Sequence, residues 1–341
     1  MTQGPYRVDG RMARVWVSDA MAGLADRAWR DPLASLRERT RCTVWNLTRR
    51  PRPDELRAAL ADQDAILCVL TDRIDAAAIE AGRSLRMISS VSVGVDHIDL
   101  EAATRRGIAV ANTPGVLVET TAELTLGLLL SVTRRVVEAD ADVRRGRWTP
   151  EARWQISGYL GKDLAGSTLG LVGLGAIGQA VAARARAFGL RILGWSRSGR
   201  EVSGVERASL AQVLAESDFV SLHLASTPET RQVIDASAFK QMKSGAILIN
   251  TARGDLVDEE ALVEALSSGH LSGAGLDVFA QEPIAPNHPL LSMPSVVLTP
   301  HIGSATAGTR LRMVELAVAN LEAGLGGRPP VHCVNPEALA R

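Results

Sequence analysis

Cysteine is scarce in this sequence. Three residues in 341, Cys42, Cys68 and Cys333, are too few and too scattered for a disulfide framework or a metal pattern. That scarcity suits a reducing compartment, and the cytoplasm is expected. An excess of charge is also missing: Lys plus Arg and Asp plus Glu each number 38, so no basic field points to nucleic acid or an anionic membrane. Long apolar runs are absent too. The longest, Leu124 to Val132, includes Thr125 and Gly127 and is too short to span a bilayer. The opening MTQGPYRVDGRMARVWV lacks the apolar core of a signal peptide. No two histidines stand at metal-ligand spacing, so no metal is expected. What remains, 46% hydrophobic and 22% charged residues, is the balance of a soluble globular protein, and the length asks for two domains.

Short apolar strands alternate with amphipathic helices, the pattern of mostly parallel sheets with helices on both faces. Strands are expected at Arg14–Val17, Thr43–Leu47, Ala65–Leu70, Arg86–Ser90 and Ile108–Ala111. A second series runs Leu169–Val172, Arg191–Trp195, Phe219–Leu224, Ala246–Asn250, Gly273–Asp277 and Val296–Leu298. One long helix is expected from Val118 to Arg145, then an irregular stretch from Trp148 to Leu164. The helix after the last strand, Ala305 to Leu325, has no sheet partner of its own and is expected to return to the first domain. The boundaries are then 11–111 with 305–330 for one domain and 112–304 for the other. The tail GGRPPVHCVNPEALAR reads as a loose extension. Segments 61–79 and 215–239 echo one another, as two related doubly wound domains would, or as ordinary α/β units do by chance.

Between Thr168 and Arg200, Gly173, Gly175 and Gly178 fall in G-x-G-x-x-G spacing between a strand and a helix, the context a dinucleotide-binding turn requires. The first glycine allows the tight turn, the second the approach of a pyrophosphate, and the third close helix packing. The whole turn, Gly173, Leu174, Gly175, Ala176, Ile177 and Gly178, is the candidate phosphate site. An acid should end the second strand and hold the adenosine ribose. This chain has Ser196, Arg197, Ser198 and Arg200 instead. Nothing there would repel a 2′-phosphate, and arginine can grip one, so NADP(H) is favoured with NAD(H) possible.

Three later strand ends carry groups of catalytic character. Arg253 follows Ala246–Asn250, Glu282 lies five residues beyond Asp277, and His301 follows Val296–Leu298. Ligands of open parallel sheets sit outside the carboxyl ends of the strands, where strand order reverses. A protonated imidazole can give a proton to a carbonyl oxygen, and a carboxylate beside an imidazole favours the charged form. An arginine can hold a carboxylate and polarise a ketone.

The motifs GLVGLGAIG, NTARGDLVDEEAL, GAGLDVFAQEP and LTPHIGSAT, in this order and spacing, resemble the D-isomer-specific 2-hydroxyacid dehydrogenases over roughly residues 45 to 325. The resemblance implies an α/β fold of two doubly wound parallel-sheet domains, a Rossmann-type cofactor domain and a flavodoxin-like substrate domain. It implies Arg253 as the substrate-binding and polarising residue, Glu282 as partner of the imidazole, and His301 as acid/base. It further implies that the backbone N–H groups of Val93 and Gly94 take the substrate carboxylate. Asp277 would bond the nicotinamide carboxamide, with contacts from Thr251, Ala252 and Gly303.

Within the family, TDRID, SVGVDHID, NTPGVLVETTAEL, WSRS and HIGSAT look most like glyoxylate/hydroxypyruvate reductases and 2-ketogluconate-type reductases, which share a preference for NADPH. Phosphite dehydrogenases place Lys where this chain has Val93, and the related formate dehydrogenases place Gln where it has Glu282, so both activities are disfavoured. The expected activity is reduction of small 2-oxo acids to D-2-hydroxy acids, with glyoxylate and hydroxypyruvate first and 2-ketogluconate as the alternative. A reading of another class is an NAD(P)H-sensing binding protein, since C-terminal-binding-protein corepressors resemble the same family. A homodimer is expected, with part of the stripe Leu124, Leu128 and Val132 at its interface. The loop from Trp148 to Leu160 matches the family least and is expected to help set substrate size.

Among the remaining groups, His97 shows no evident partner, and His223 is either near the cofactor or hydrogen-bonded in the core. The arginines Arg134, Arg135, Arg144, Arg145 and Arg147 read as a solvated helix face with C-terminal dipole complementarity rather than an anion site.

Overall fold

The computed structural model describes residues 4–18, 21, 31–45, 49–152 and 154–340. Its contacts divide the chain into two units, Met1–Leu117 with Ala305–Arg341, and Val118–Ser304.

The first unit opens with an antiparallel pair, β1 (Arg7–Val8) and β2 (Arg11–Met12). Its main sheet is parallel and contains β3 (Arg14–Val17), β4 (Arg41–Val44), β5 (Ala65–Cys68), β6 (Met87–Ser90) and β7 (Ala109–Ala111). Helices α1 (Ala34–Arg39), α2 (Pro53–Leu60), α3 (Ala76–Ala81) and α4 (Leu100–Arg105) lie between successive strands. The order β4-β3-β5-β6-β7 is the flavodoxin-like 2-1-3-4-5. β5 and β6 are buried along their whole length, as parallel strands covered on both faces must be.

The second unit begins with α5 (Val118–Thr133) and α6 (Val136–Arg144). Then come β8 (Thr168–Val172), α7 (Ala176–Ala187), β9 (Arg191–Trp195), β10 (Glu206–Arg207), α8 (Leu210–Glu216) and β11 (Phe219–Leu222). The unit continues through α9 (Ala236–Gln241), β12 (Ala246–Asn250), α10 (Glu259–Ser267), β13 (Leu271–Leu276) and β14 (Val296–Leu298). Every strand pair is parallel, in the order β10-β9-β8-β11-β12-β13-β14. Counted from β8 this is the Rossmann order with one added strand, and the order reverses between β8 and β11. Buried clusters cover both sheet faces. The chain then returns to the first unit as α11 (Ala307–Leu325), which packs on β5, β6 and β7.

Several expectations need correction. The long helix is two: Arg135 takes a left-handed conformation (φ 52°), and the N–H of Lys162 bonds the Thr133 carbonyl at 2.9 Å. The arginines around this break are exposed, as a solvated face requires, and three of them also pair with carboxylates. Arg135 meets Glu138 at 2.6 Å, Arg144 meets Asp140 at 2.8 Å, and Arg147 meets Asp142 at 2.8 Å. The stripe on α5 is core at Leu128 and Val132, which pack against Gly273 and Gly275 of β13, where no side chain intervenes.

The tail is not loose. Asn335 is buried; its Oδ1 accepts the Val110 N–H at 2.7 Å and its Nδ2 donates to the Ile108 carbonyl at 3.0 Å. The unit boundary falls after Leu117 instead of Ala111, because Thr113 N–H bonds Ser92 and the Asn112 carbonyl accepts Asn320 Nδ2. The strand expected at Thr43–Leu47 runs Arg41–Val44; Asn46 and Leu47 lie outside the described residues.

Candidate active site

The glycine turn forms because side chains would not fit. A Cβ on Gly173 (φ 111°) would lie 2.5 Å from the His223 carbonyl oxygen, and one on Gly178 would lie 2.2 Å from the Gly173 oxygen. Gly175 faces open space, and as the first flanking residue of α7 it offers no side-chain cap. The other crossover helices of this unit, α8, α9 and α10, are capped by Ser209, Asp235 and Asp258. α7 thus opens with exposed backbone donors and a positive dipole end, which fits a pyrophosphate. Leu174 is buried beneath the turn, so only its backbone can face a ligand. His223 bonds Ser221 at 2.9 Å, and burial lowers its pKa to about 4, so the ring is neutral beside the turn.

After β9, the turn at Ser196 is closed by the N–H groups of Gly199 to the Ser196 carbonyl (3.1 Å) and of Arg200 to the Ser196 hydroxyl (3.2 Å). Among the described residues, no carboxylate lies within ion-pair distance of Arg197 or Arg200, although Glu229, whose pKa is lowered chiefly by a hydrogen bond with Thr227, also feels the charge of Arg197.

β12, β13 and β14 bring the candidate groups to neighbouring positions. Asn250, at the end of β12, braces the turn that carries Arg253: its Nδ2 donates to the Arg253 carbonyl at 2.8 Å, and its Oδ1 accepts the Ala252 N–H at 3.0 Å. The Arg253 guanidinium bonds the Ala252 carbonyl and is partly buried. Asp277, after β13, is fully buried. Its Oδ1 accepts the Thr299 hydroxyl (2.6 Å) and the Ile302 N–H (2.7 Å), and its Oδ2 accepts the Gly303 N–H (2.8 Å). Burial raises the pKa of Asp277 against these bonds and the charge of His301. This carboxylate therefore shapes the turn that presents His301 at φ 54°. The implied bond to a carboxamide would have to use the remaining lone pair of Oδ2.

The imidazole meets its carboxylate. His301 Nδ1 and Glu282 Oε2 are 2.8 Å apart, and Glu282 Oε1 accepts the Phe279 N–H at 3.1 Å. Burial alone would raise the pKa of Glu282. The hydrogen bond and charge of His301, the Phe279 N–H and the charge of Arg253 outweigh it, and the net shift is downward. Gly254 lets the Arg253 turn touch this loop directly, since a Cβ there would fall 1.9 Å from the Phe279 carbonyl carbon.

Several supporting residues escaped sequence reasoning. Glu259 accepts the Ala280 N–H at 2.7 Å and lies 3.5 Å from His288 Nε2, anchoring the loop that carries Glu282. On α5, Thr121 donates to the Gly303 carbonyl, and Thr125 shares a 2.8 Å hydrogen bond with Thr251. Both lie in a stretch that reads as an ordinary apolar helix, so their role shows only in three dimensions. Thr251, Ala252 and Gly303 line the same strand ends. Val93 and Gly94 belong to the other unit, just after β6. His97, expected to lack a partner, bonds Ser90 at 3.0 Å. Among the described residues no three His, Cys, Asp or Glu side chains are grouped to hold a metal ion, and no helix is long and apolar enough to cross a membrane.

A Rossmann sheet whose strand ends bring together an arginine and a His–carboxylate pair is the framework of a nicotinamide-dependent oxidoreductase. Residues 126–303 match the family model described as D-isomer specific 2-hydroxyacid dehydrogenase, NAD binding domain, and the chain belongs to this family. It is 49% identical to a glyoxylate reductase of Thermofilum pendens over 85% of this chain and 86% of that protein. Among solved structures, a protein from Thermus thermophilus aligns with a TM-score of 0.84 at 49% identity, covering 94% of this chain and 99% of that one. An NADPH-dependent glyoxylate/hydroxypyruvate reductase from Sinorhizobium meliloti, in complex with NADP and malonate, aligns at 0.81 and 33% identity, covering 96% and 97%. The protein is a 2-hydroxyacid dehydrogenase that binds a nicotinamide cofactor.

Proposed function

We propose that this enzyme reduces small 2-oxo acids to D-2-hydroxy acids, glyoxylate and hydroxypyruvate foremost, with NADPH preferred over NADH. The observation that carries the reading is the 2.8 Å pair of Glu282 and His301 on the strand-end edge that also bears Arg253. The names of the relatives support the substrate class. The serines and arginines after β9, where a ribose-binding acid would stand, support the cofactor preference.

Bound nicotinamide supplies the hydride. Glu282 fixes the imidazole through Nδ1, which leaves Nε2 to exchange a proton with the substrate oxygen. Arg253 holds the substrate carboxylate and polarises the carbonyl, with Asn250 and Gly254 keeping its turn against the Glu282 loop. Asp277, Thr251, Ala252 and Gly303 support the cofactor side. By resemblance to the family, the backbone N–H groups of Val93 and Gly94 bind the substrate carboxylate.

The free cysteines suit a cytoplasmic enzyme; burial pushes the Cys68 thiol up and makes it inert. The enzyme works as a homodimer, a reading supported by the exposed apolar side chains between 136 and 160, among them Val137, Val143, Trp148, Trp154 and Ile156. Light scattering after gel filtration should give twice the chain mass, and Trp154→Glu should lower it.

Steady-state kinetics over glyoxylate, hydroxypyruvate, pyruvate and 2-ketogluconate, each with NADPH and NADH, test the function. The highest kcat/KM is expected for glyoxylate or hydroxypyruvate with NADPH. Only trace oxidation of tightly bound NADPH with every acid would end the reductase reading.

A further inference from the structure

The cofactor preference proposed above rests on Ser196, Arg197 and Ser198, all from the turn after β9. The structure adds a residue from another strand. β10 runs parallel to β9 with Arg207 opposite Gly194. Residues in register on adjacent strands share a face of the sheet. At Gly194 that face is the one covered by the glycine turn, since a Cβ there would lie 2.9 Å from Leu174 Cδ2. Val205, two residues before Arg207, meets the same spot at 2.5 Å.

Arg207 therefore leaves the sheet on the dinucleotide side, and its guanidinium reaches the ribose turn. A Cβ on Gly199 would lie 2.8 Å from Arg207 Nη2. The neighbouring Glu206 is held by Arg191 at 2.7 Å, and among the described residues Arg207 has no carboxylate within ion-pair distance. An exposed guanidinium laid over this turn can bond an anion without first giving up a protein partner.

We propose that Arg207 is a second guanidinium of the adenosine 2′-phosphate subsite, reaching it from β10 and acting with Arg197. The proposal rests on the NADPH reading and extends it to a residue outside the Ser196–Arg200 turn. The ligand chemistry is a phosphate monoester on the adenosine ribose.

Calorimetric titration of the full chain with adenosine 2′,5′-bisphosphate and with 5′-AMP tests it without turnover. Wild type should bind the bisphosphate more tightly. Arg207→Ala should weaken the bisphosphate by ~10-fold or more, the scale of a lost charge-assisted hydrogen bond, and leave 5′-AMP nearly unchanged. Arg197→Ala serves as the comparison. If Arg197→Ala weakens the bisphosphate and Arg207→Ala does not, the role of Arg207 is overturned and the NADPH reading stands. If Arg207→Ala weakens both ligands equally, the residue only supports the turn and the proposal is overturned. If wild type binds the two ligands alike, the NADPH reading itself fails, and this inference with it.

Discussion

His301 and Glu282 are separated by 18 intervening residues and come from the ends of different strands, yet their side chains meet at 2.8 Å. Their separate jobs give separate expectations. Removing the imidazole in His301→Ala should cut kcat by ~10²–10⁴-fold, the usual contribution of a positioned acid/base, while leaving NADPH affinity nearly intact. Glu282→Gln retains an acceptor but loses the charge, so it should lower kcat without matching the full loss at His301. An unchanged kcat in His301→Ala, measured by NADPH absorbance with glyoxylate, would remove the residue from its role. The expectation for Glu282 also has a pH sign. Its folded-state pKa lies below the ordinary carboxylate value, so the unfolded chain takes up the proton first as pH falls. The contribution of the Glu282 carboxylate is fully present above that ordinary value and is lost as pH falls through the lowered one. The stability gap between wild type and Glu282→Gln should therefore close in acid.

At the scale of elements, the site depends on loops touching one another where no side chain intervenes. Gly254 sits against the Phe279–Ala280 peptide, with Arg253 on one side of the contact and Glu282 on the other. Gly254→Ala should push the two loops apart and lower kcat/KM by ~10²-fold, the scale expected for a misplacement of about 1 Å, with the protein still folded by circular dichroism. Wild-type kinetics in that variant would show that the contact does not set the catalytic geometry. The same reliance on tertiary contact explains what could be read in advance. Most strands of the two large sheets announced themselves as apolar runs, and Arg253, Glu282 and His301 stood at strand ends within recognisable motifs; the short charged edge strand β10 (Glu206–Arg207) carries no such run and was missed. The break at Arg135 was hidden, because an arginine fills a left-handed position that sequence reasoning assigns to glycine or asparagine. Lys162, whose N–H takes the Thr133 carbonyl freed at the break, lies 29 residues beyond Thr133. The docked tail was hidden for a similar reason: the Asn335 side-chain oxygen and the Val334 N–H take the place of a strand partner at Val110, and no periodicity marks that. The bracing of Gly303 and Thr251 by Thr121 and Thr125 was hidden within an apolar helix.

For the whole molecule, these burial patterns set how it responds to acid. His223 lies beside the glycine turn with its pKa lowered by burial from 6.5 to about 4. Above 6.5 both the folded and the unfolded chain hold this ring neutral, and it makes no pH-dependent difference. Between 6.5 and about 4 the unfolded chain binds a proton that the folded one refuses, so stability falls as pH falls through that window. Glu282 acts in the same direction but later, starting only near the ordinary carboxylate value of 4.5. Loss of stability should therefore come in two overlapping stages, with His223 responsible for the first. His223→Asn keeps a polar side chain near Ser221 and has nothing to titrate. It should flatten the first stage while leaving the second in place, and Glu282→Gln should leave the first in place and reduce the second only in part, since Glu55, Asp218 and other carboxylates with lowered pKa values also contribute to it. Denaturation midpoints measured in urea across this range decide between them. If His223→Asn loses stability between 6.5 and 4 as steeply as wild type, the buried ring is not the source of the acid sensitivity.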